Sequence, residues 1–152
     1  MGFIASNWRR IPQMMLKAVS NILASWKRRL NDRWVDYSTL PQFAKYDVKE
    51  GWLLDVTEDG DSVIFAVEAA CTWDHPRAGW TNILIVFPKV RSTHWIRREM
   101  RPTTDPDGTI DYGAIDSFNV NRDRSHLEGE WGEVEIVSDP IEVREVESLS
   151  ES

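Results

Sequence analysis

Trp52-Leu53-Leu54-Asp55-Val56-Thr57-Glu58-Asp59-Gly60-Asp61-Ser62-Val63-Ile64-Phe65-Ala66-Val67-Glu68-Ala69-Ala70-Cys71 is the stretch that decides the fold. Val63, Phe65, Val67, Ala69 and Cys71 alternate with Ile64, Ala66, Glu68 and Ala70, the period of a strand with one face turned inward. Before them, Trp52, Leu54 and Val56 alternate with Leu53, Asp55 and Thr57. Glu58-Asp59-Gly60-Asp61 is a turn signal between the two runs, so the stretch predicts a β-hairpin.

Downstream the strand signals continue. Residues 82–87 (Asn-Ile-Leu-Ile-Val-Phe) form an apolar run ended by Pro88, which predicts a central strand covered on both faces. Residues 90–97 continue as another strand, bent at Pro88. Residues 102–113 read as loop. Residues 117–121 and 126–131 are weaker strands, interrupted by the charged turn Asn121-Arg122-Asp123-Arg124. Val134 and Ile136, then Ile141 and Val143, alternate with Glu135, Glu142 and Arg144 around Ser138-Asp139-Pro140. They predict a last strand pair, or one strand broken at Pro140. Residues 35–51 read as a connector, with one short helical turn in Ser38-Thr39-Leu40-Pro41-Gln42, and residues 147–152 as a disordered tail.

Upstream the period is helical. On a wheel of about 100° per residue, Ile11, Met15, Ala18, Val19, Ile22, Leu23, Trp26 and Leu30 fall within one arc of about 160°. Arg9, Arg10, Gln13, Lys17, Ser20, Asn21, Ala24, Lys27, Arg28 and Asn31 lie opposite, with Met14 and Arg29 as the exceptions. Residues 12–30 therefore predict an amphipathic helix, with Pro12 in the first turn where proline is tolerated. Residues 1–34 carry seven basic side chains against one acid, a net of +6, so the whole-chain charge of −7 leaves −13 on residues 35–152. A cationic arm joined to an anionic body interacts with itself, a membrane surface or a partner. Residues 1–34 are read as the arm, 35–51 as the connector, 52–146 as an acidic β-rich domain and 147–152 as the tail.

At 152 residues the chain holds one domain with appendages. A single Cys71 excludes an intrachain disulfide and fits a reducing compartment. No apolar run reaches the length of a membrane span, and the N-terminus lacks the pattern of a secretory signal. The expected location is cytoplasmic, with peripheral membrane contact through helix 12–30 as the alternative. The acidic balance argues against nucleic acid as a partner.

Individual motifs are weak. Met1-Gly2-Phe3-Ile4-Ala5-Ser6 has myristoylation spacing, but with bulky Phe3 after the glycine. Thr103 to Ala114 has partial EF-hand register at Asp105, Asp107, Gly108 and Asp111, yet lacks the first acidic ligand and the bidentate carboxylate. Asp74 and His75 lie in a loop after a strand, where an acid–base site could be completed by a distant Glu128 or Glu130. No Cys or His pair has zinc spacing, so no cofactor or metal is expected. Cys71 sits in an apolar alternation, as a core thiol does. Of the eight tryptophans, Trp73 and Trp80 bracket the loop and are expected to pin it to the core, although exposed aromatics on a sheet could also stack on sugars. Arg97, Arg98 and Arg101 make a basic spot suited either to an anion or to a solvated sheet edge.

Residues 45–146 resemble small uncharacterised bacterial β-rich domains, some of them like immunity proteins encoded beside secreted toxins. The resemblance rests on Trp52-Leu53-Leu54-Asp55-Val56, on Ile83-Leu84-Ile85-Val86-Phe87-Pro88-Lys89-Val90, and on Leu127-Glu128-Gly129-Glu130-Trp131-Gly132-Glu133-Val134-Glu135-Ile136. It implies stoichiometric protein binding without cofactor or catalysis, and it transfers no site residue.

The sequence thus predicts an α+β fold: a twisted antiparallel sheet or small β-sandwich of six to eight strands with one N-terminal amphipathic helix. The expected function is non-enzymatic binding of a basic protein partner through Asp59, Asp61, Asp74, Glu128, Glu130, Glu133 and Glu135. The helix residues Met15, Val19, Ile22, Trp26 and Leu30 are the alternative contact, to a membrane or partner. A hydrolase using Asp74 and His75 is the third reading.

Overall fold

The computed structural model describes residues 14–22 and 33–146. Contacts divide the chain into two units, Met1–Arg33 and Trp34–Ser152. Within the first, residues 14–22 are helical, with Met15, Val19 and Ile22 exposed. Trp26, Leu30, residues 1–6 and the tail 147–152 lie outside the described residues. No described helix is long and apolar enough to cross a membrane.

The second unit is mostly antiparallel sheet. Its strands are β1 (Val35–Asp36), β2 (Tyr46–Asp59), β3 (Ser62–Cys71), β4 (Trp80–Phe87), β5 (Ser92–Arg98), β6 (Thr103–Thr104), β7 (Ile110–Asp111), β8 (Ile115–Asn121), β9 (Arg124–Gly129), β10 (Gly132–Val137) and β11 (Glu142–Glu145). Among the described residues they form a five-stranded sheet in the order β1-β8-β9-β10-β5, a four-stranded sheet in the order β11-β4-β3-β2, and the β6-β7 ribbon. Both larger sheets contribute to one core. Phe65 and Phe87 from the second sheet meet Trp131 and Phe118 from the side of the first, with ring centroids 5.7 and 6.2 Å apart. Each such ring, fully buried, stabilises the fold by about 2–3 kcal/mol.

The predicted hairpin is β2-β3. Asp59 pairs with Ser62 across a two-residue loop in which Gly60 has φ +62°, a conformation glycine adopts without a Cβ clash. Val63, Phe65, Val67 and Ala69 face the core, as the alternation requires, while Cys71 is only half-buried. The upstream face differs from the expectation. Trp52 is exposed and Leu53 fully buried, because β2 has register shifts between Asp47 and Trp52 and between Leu53 and Asp55. An extra residue in a strand turns every following side chain over. Leu53 and Val56 therefore share the inner face.

Residues 35–51 contain β1, two single-turn 3-10 helices (Tyr37–Thr39 and Pro41–Phe43) and the first part of β2. Tyr37, Phe43, Tyr46 and Val48 in this stretch are core residues. Tyr37 stacks on Phe118 at 5.2 Å and meets Phe43 edge-on at 5.1 Å. β4 is an inner strand of its sheet, but alternates in burial up to Ile85 instead of being covered on both faces throughout. β5 does not extend β4. The chain crosses at Pro88 to Arg91, with Lys89 at φ +47°, and β5 forms the edge of the other sheet beside β10. β10 and β11 likewise lie in different sheets and do not pair.

Candidate functional site

The densest polar constellation gathers on Glu145, the last residue of β11. Its Oε2 accepts a hydrogen bond from Tyr46 Oη at 3.0 Å, and its Oε1 accepts one from Thr81 Oγ1 at 2.8 Å. Arg77 forms a short ion pair with Oε1. His75 Nε2 lies 3.2 Å from both oxygens.

Local sequence positions each donor. Gly79, at φ +95°, lets its carbonyl turn back to accept from Cys71 N–H at 2.8 Å and close the 72–79 loop. Thr72 ties that loop to the chain before β2: its Oγ1 donates to Ala44 O at 2.6 Å and its N–H to Lys45 O at 3.0 Å. His75 is buried by this fold-back, edge-on to Tyr46 at 5.8 Å. The Arg77 backbone N–H donates to His75 Nδ1 at 2.9 Å, which assigns the ring proton to Nε2, facing Glu145.

Hydrogen bonds from Thr81, then His75, Tyr46 and Arg77, outweigh burial and lower the Glu145 pKa from 4.5 to about 2. Burial, then the adjacent carboxylate, pushes Tyr46 up to about 12. A carboxylate has about four lone-pair sites, and donors from four side chains occupy them. Both His75 nitrogens are engaged as well. The arrangement clamps β2, the 72–79 loop, β4 and β11 together, with no free acid or base in this state.

Beside the clamp lies a shallow depression of about 240 Å³ lined by Glu68, Arg77, Trp80, Thr81, Asn82 and Val146. Trp80 is the aromatic side chain of that lining. Trp80 is 52% exposed and Trp73 is fully exposed, so neither pins the loop to the core as expected. Strand register places Trp52, Glu68 and Asn82 in one row, and Ala70 and Trp80 in the next, on the outer face of the four-stranded sheet. Ile64, Ala66 and Leu84 continue that face and are half-buried.

The seven acidic residues read as partner contacts do not gather in one place. Asp59 and Asp61 stand at the β2-β3 hairpin, and Asp74 in the 72–79 loop at the other end of β3. Glu130 is in the β9-β10 turn, its carboxylate against Gly113. Glu128, Glu133 and Glu135 do converge, on the outer face of the five-stranded sheet beside His126. His126 Nε2 is 2.8 Å from Glu133 Oε1. His75 is next to Glu145, and neither Asp74, Glu128 nor Glu130 bonds to it. Residues 103–111 form a β-ribbon instead of a helix-flanked loop. Asp105 and Asp107 accept from Thr109 within its turn, and the buried Asp111 accepts from the Gly113 N–H at 2.8 Å. Arg97 and Arg98 lie on edge strand β5, Arg97 donating to Gly129 O at 2.7 Å and Arg98 stacked over Trp95 at 4.5 Å.

The clamp is not legible in the sequence, because its donors stand far from Glu145 along the chain, Tyr46 by 99 positions and Thr81 by 64. Only its acceptor has a signal: Val143 and Glu145 share a face by period two, which puts a carboxylate where the core should continue. No family model, curated protein or solved structure matches the chain.

Proposed function

We propose that the second unit is a small open β-sandwich acting as a non-enzymatic, cytoplasmic protein-binding module of immunity or accessory type. The observation that carries this reading is an exposed aromatic rim: Trp52 and Trp80 stand on the outer face of the four-stranded sheet, Trp80 lines the shallow depression, and Trp73 is presented to solvent in the loop before β4. Exposed tryptophans are among the side chains that most often anchor protein interfaces. The saturated clamp beside them supports binding over chemistry, since its carboxylate and imidazole are already committed. The −13 charge of residues 35–152 would draw in a basic partner, an effect on association rate that salt screens. The acidic groups steer and the tryptophans hold.

The test is affinity capture at about 50 mM salt, where long-range attraction is strong, with wild type and a Trp73→Ala/Trp80→Ala double variant. The reading requires a basic protein retained by the wild type and lost by the variant. Equal retention by both rejects the aromatic rim as the contact.

A second reading has its own observation. Met15, Val19 and Ile22 are exposed along residues 14–22, within the cationic arm, as a membrane-surface helix would need. Co-sedimentation with anionic vesicles, lost on Ile22→Glu, would support it. Sedimentation that is absent, or unchanged by the substitution, would not.

A further inference from the structure

The outer face of the five-stranded sheet holds a second constellation, independent of the binding reading above. In register across β8, β9, β10 and β5 run Asn119, His126, Glu135 and His94. The next row is Ser117, Glu128, Glu133 and Arg97. Two of the chain's three histidines and three of its glutamates therefore share one sheet face.

Glu128 and Glu133 are directly opposed across β9-β10. Like charges in that position repel and destabilise the pair. Arg97, the cation in the same row, does not relieve them, because its guanidinium bonds to the carbonyls of Gly129 and Glu130 and to Glu99. Among the described residues, Glu128 has no cation or hydrogen-bond donor against it. His126 completes the group: ligand atoms of His126, Glu128 and Glu133 all lie within 4.8 Å of one another. Donor atoms about 2.0–2.2 Å from one ion stand no more than about 4.4 Å apart, so small rotamer shifts bring all three onto it.

The three side chains are only partly buried, which leaves an ion a way in. Trp34 meets the His126 ring edge-on at 6.2 Å, and Arg124 lies over Trp34 at 5.2 Å, so the imidazole is walled on one side. We propose that His126, Glu128 and Glu133 form a site for a divalent transition metal of the zinc class. One imidazole and two carboxylates suit that class better than calcium or magnesium, which take oxygen ligands. The ion would neutralise the opposed carboxylates, take neutral His126, and leave a coordination position open to water or to a ligand from a partner.

The test is calorimetric titration of the metal-stripped full chain with zinc chloride near neutral pH, with His126 ring resonances followed by NMR. The proposal expects one equivalent of zinc, bound roughly tenfold or more weakly by Glu128→Gln and unchanged by Glu130→Gln. Glu128→Gln removes no hydrogen bond among the described residues, so the fold should survive it. Zinc should shift His126 and leave His75 in place. Absence of binding, equal affinity in the two variants, or a shift at His75 in place of His126 would overturn the assignment.

Discussion

Tyr46 Oη donates to Glu145 Oε2 at 3.0 Å, joining the first residue of β2 to the last residue of β11 across 99 positions of sequence. With His75, Arg77 and Thr81 on the same carboxylate, this contact fixes both ends of the four-stranded sheet. Glu145→Ala leaves the buried His75 and Thr81 donors without their acceptor. The expected loss is about 2–3 kcal/mol, against about 1 kcal/mol for Glu145→Gln, which keeps an acceptor oxygen. Urea denaturation of both variants and the wild type checks the ranking.

The clamp should also show in the pH dependence. The folded-state pKa of Glu145 is about 2, below its ordinary 4.5. Its contribution is therefore complete above pH 4.5 and is lost as pH falls from there toward 2. The stability gap between wild type and Glu145→Gln should narrow across that window. At the alkaline end the sign reverses. Burial pushes Tyr37 and Tyr46 up from 10.0 to about 12, so their contribution is full below pH 10 and is lost as pH rises toward 12. Denaturation series at both ends, with Tyr46→Phe as the comparison, measure this.

Two neighbouring indoles should respond differently to the same substitution. Trp131 is fully buried and its Nε1 donates to Ala114 O at 3.1 Å. Trp95, 6.1 Å away ring to ring, has a buried Nε1 with no partner among the described residues. Trp131→Phe loses a hydrogen bond and opens a cavity, at a cost of about 2–3 kcal/mol. Trp95→Phe removes an unsatisfied donor, which offsets much of its lost packing, so its cost should be under about 1 kcal/mol. Thermal or urea denaturation of the pair decides it.

How far the sequence could be read follows from where local signals end. The β2-β3 hairpin was legible because Val63, Phe65, Val67 and Ala69 carry an unbroken period of two and Gly60 marks the turn. The inner face of β2 was not, because register shifts have no marker in a single chain and they exchange Trp52 for Leu53. The destination of β5 was hidden too, since Pro88 signals a bend but not which sheet receives the next strand. Tyr37 and Phe43 looked like connector residues because 3-10 turns have no long period, yet their rings close the core around Phe118. His126, Glu128 and Glu133 were each visible. Only strand pairing shows that a His-x-Glu on one strand faces a glutamate on the next.

Two glycines test the backbone account of β2. A Cβ at Gly51 would stand 2.0 Å from Glu68 O, while one at Gly60 meets nothing within 4 Å but carries φ +62°. Gly60→Ala should cost about 1–2 kcal/mol, the strain of a left-handed conformation. Gly51→Ala should cost more, because strand β3 must move, and should broaden the amide signals of Trp52 and Leu53. Denaturation and a two-dimensional amide spectrum report both effects.

The central claim is that this protein works by binding through an aromatic rim on an anionic body, and one measurement addresses it most directly. The affinity of a captured partner is titrated against wild type and Trp73→Ala/Trp80→Ala at two salt concentrations. The account predicts at least a roughly hundredfold loss on removing the two indoles, the scale of an interface hot spot, together with slower association in both proteins at higher salt. An affinity indifferent to the indoles and an association rate indifferent to salt would contradict it.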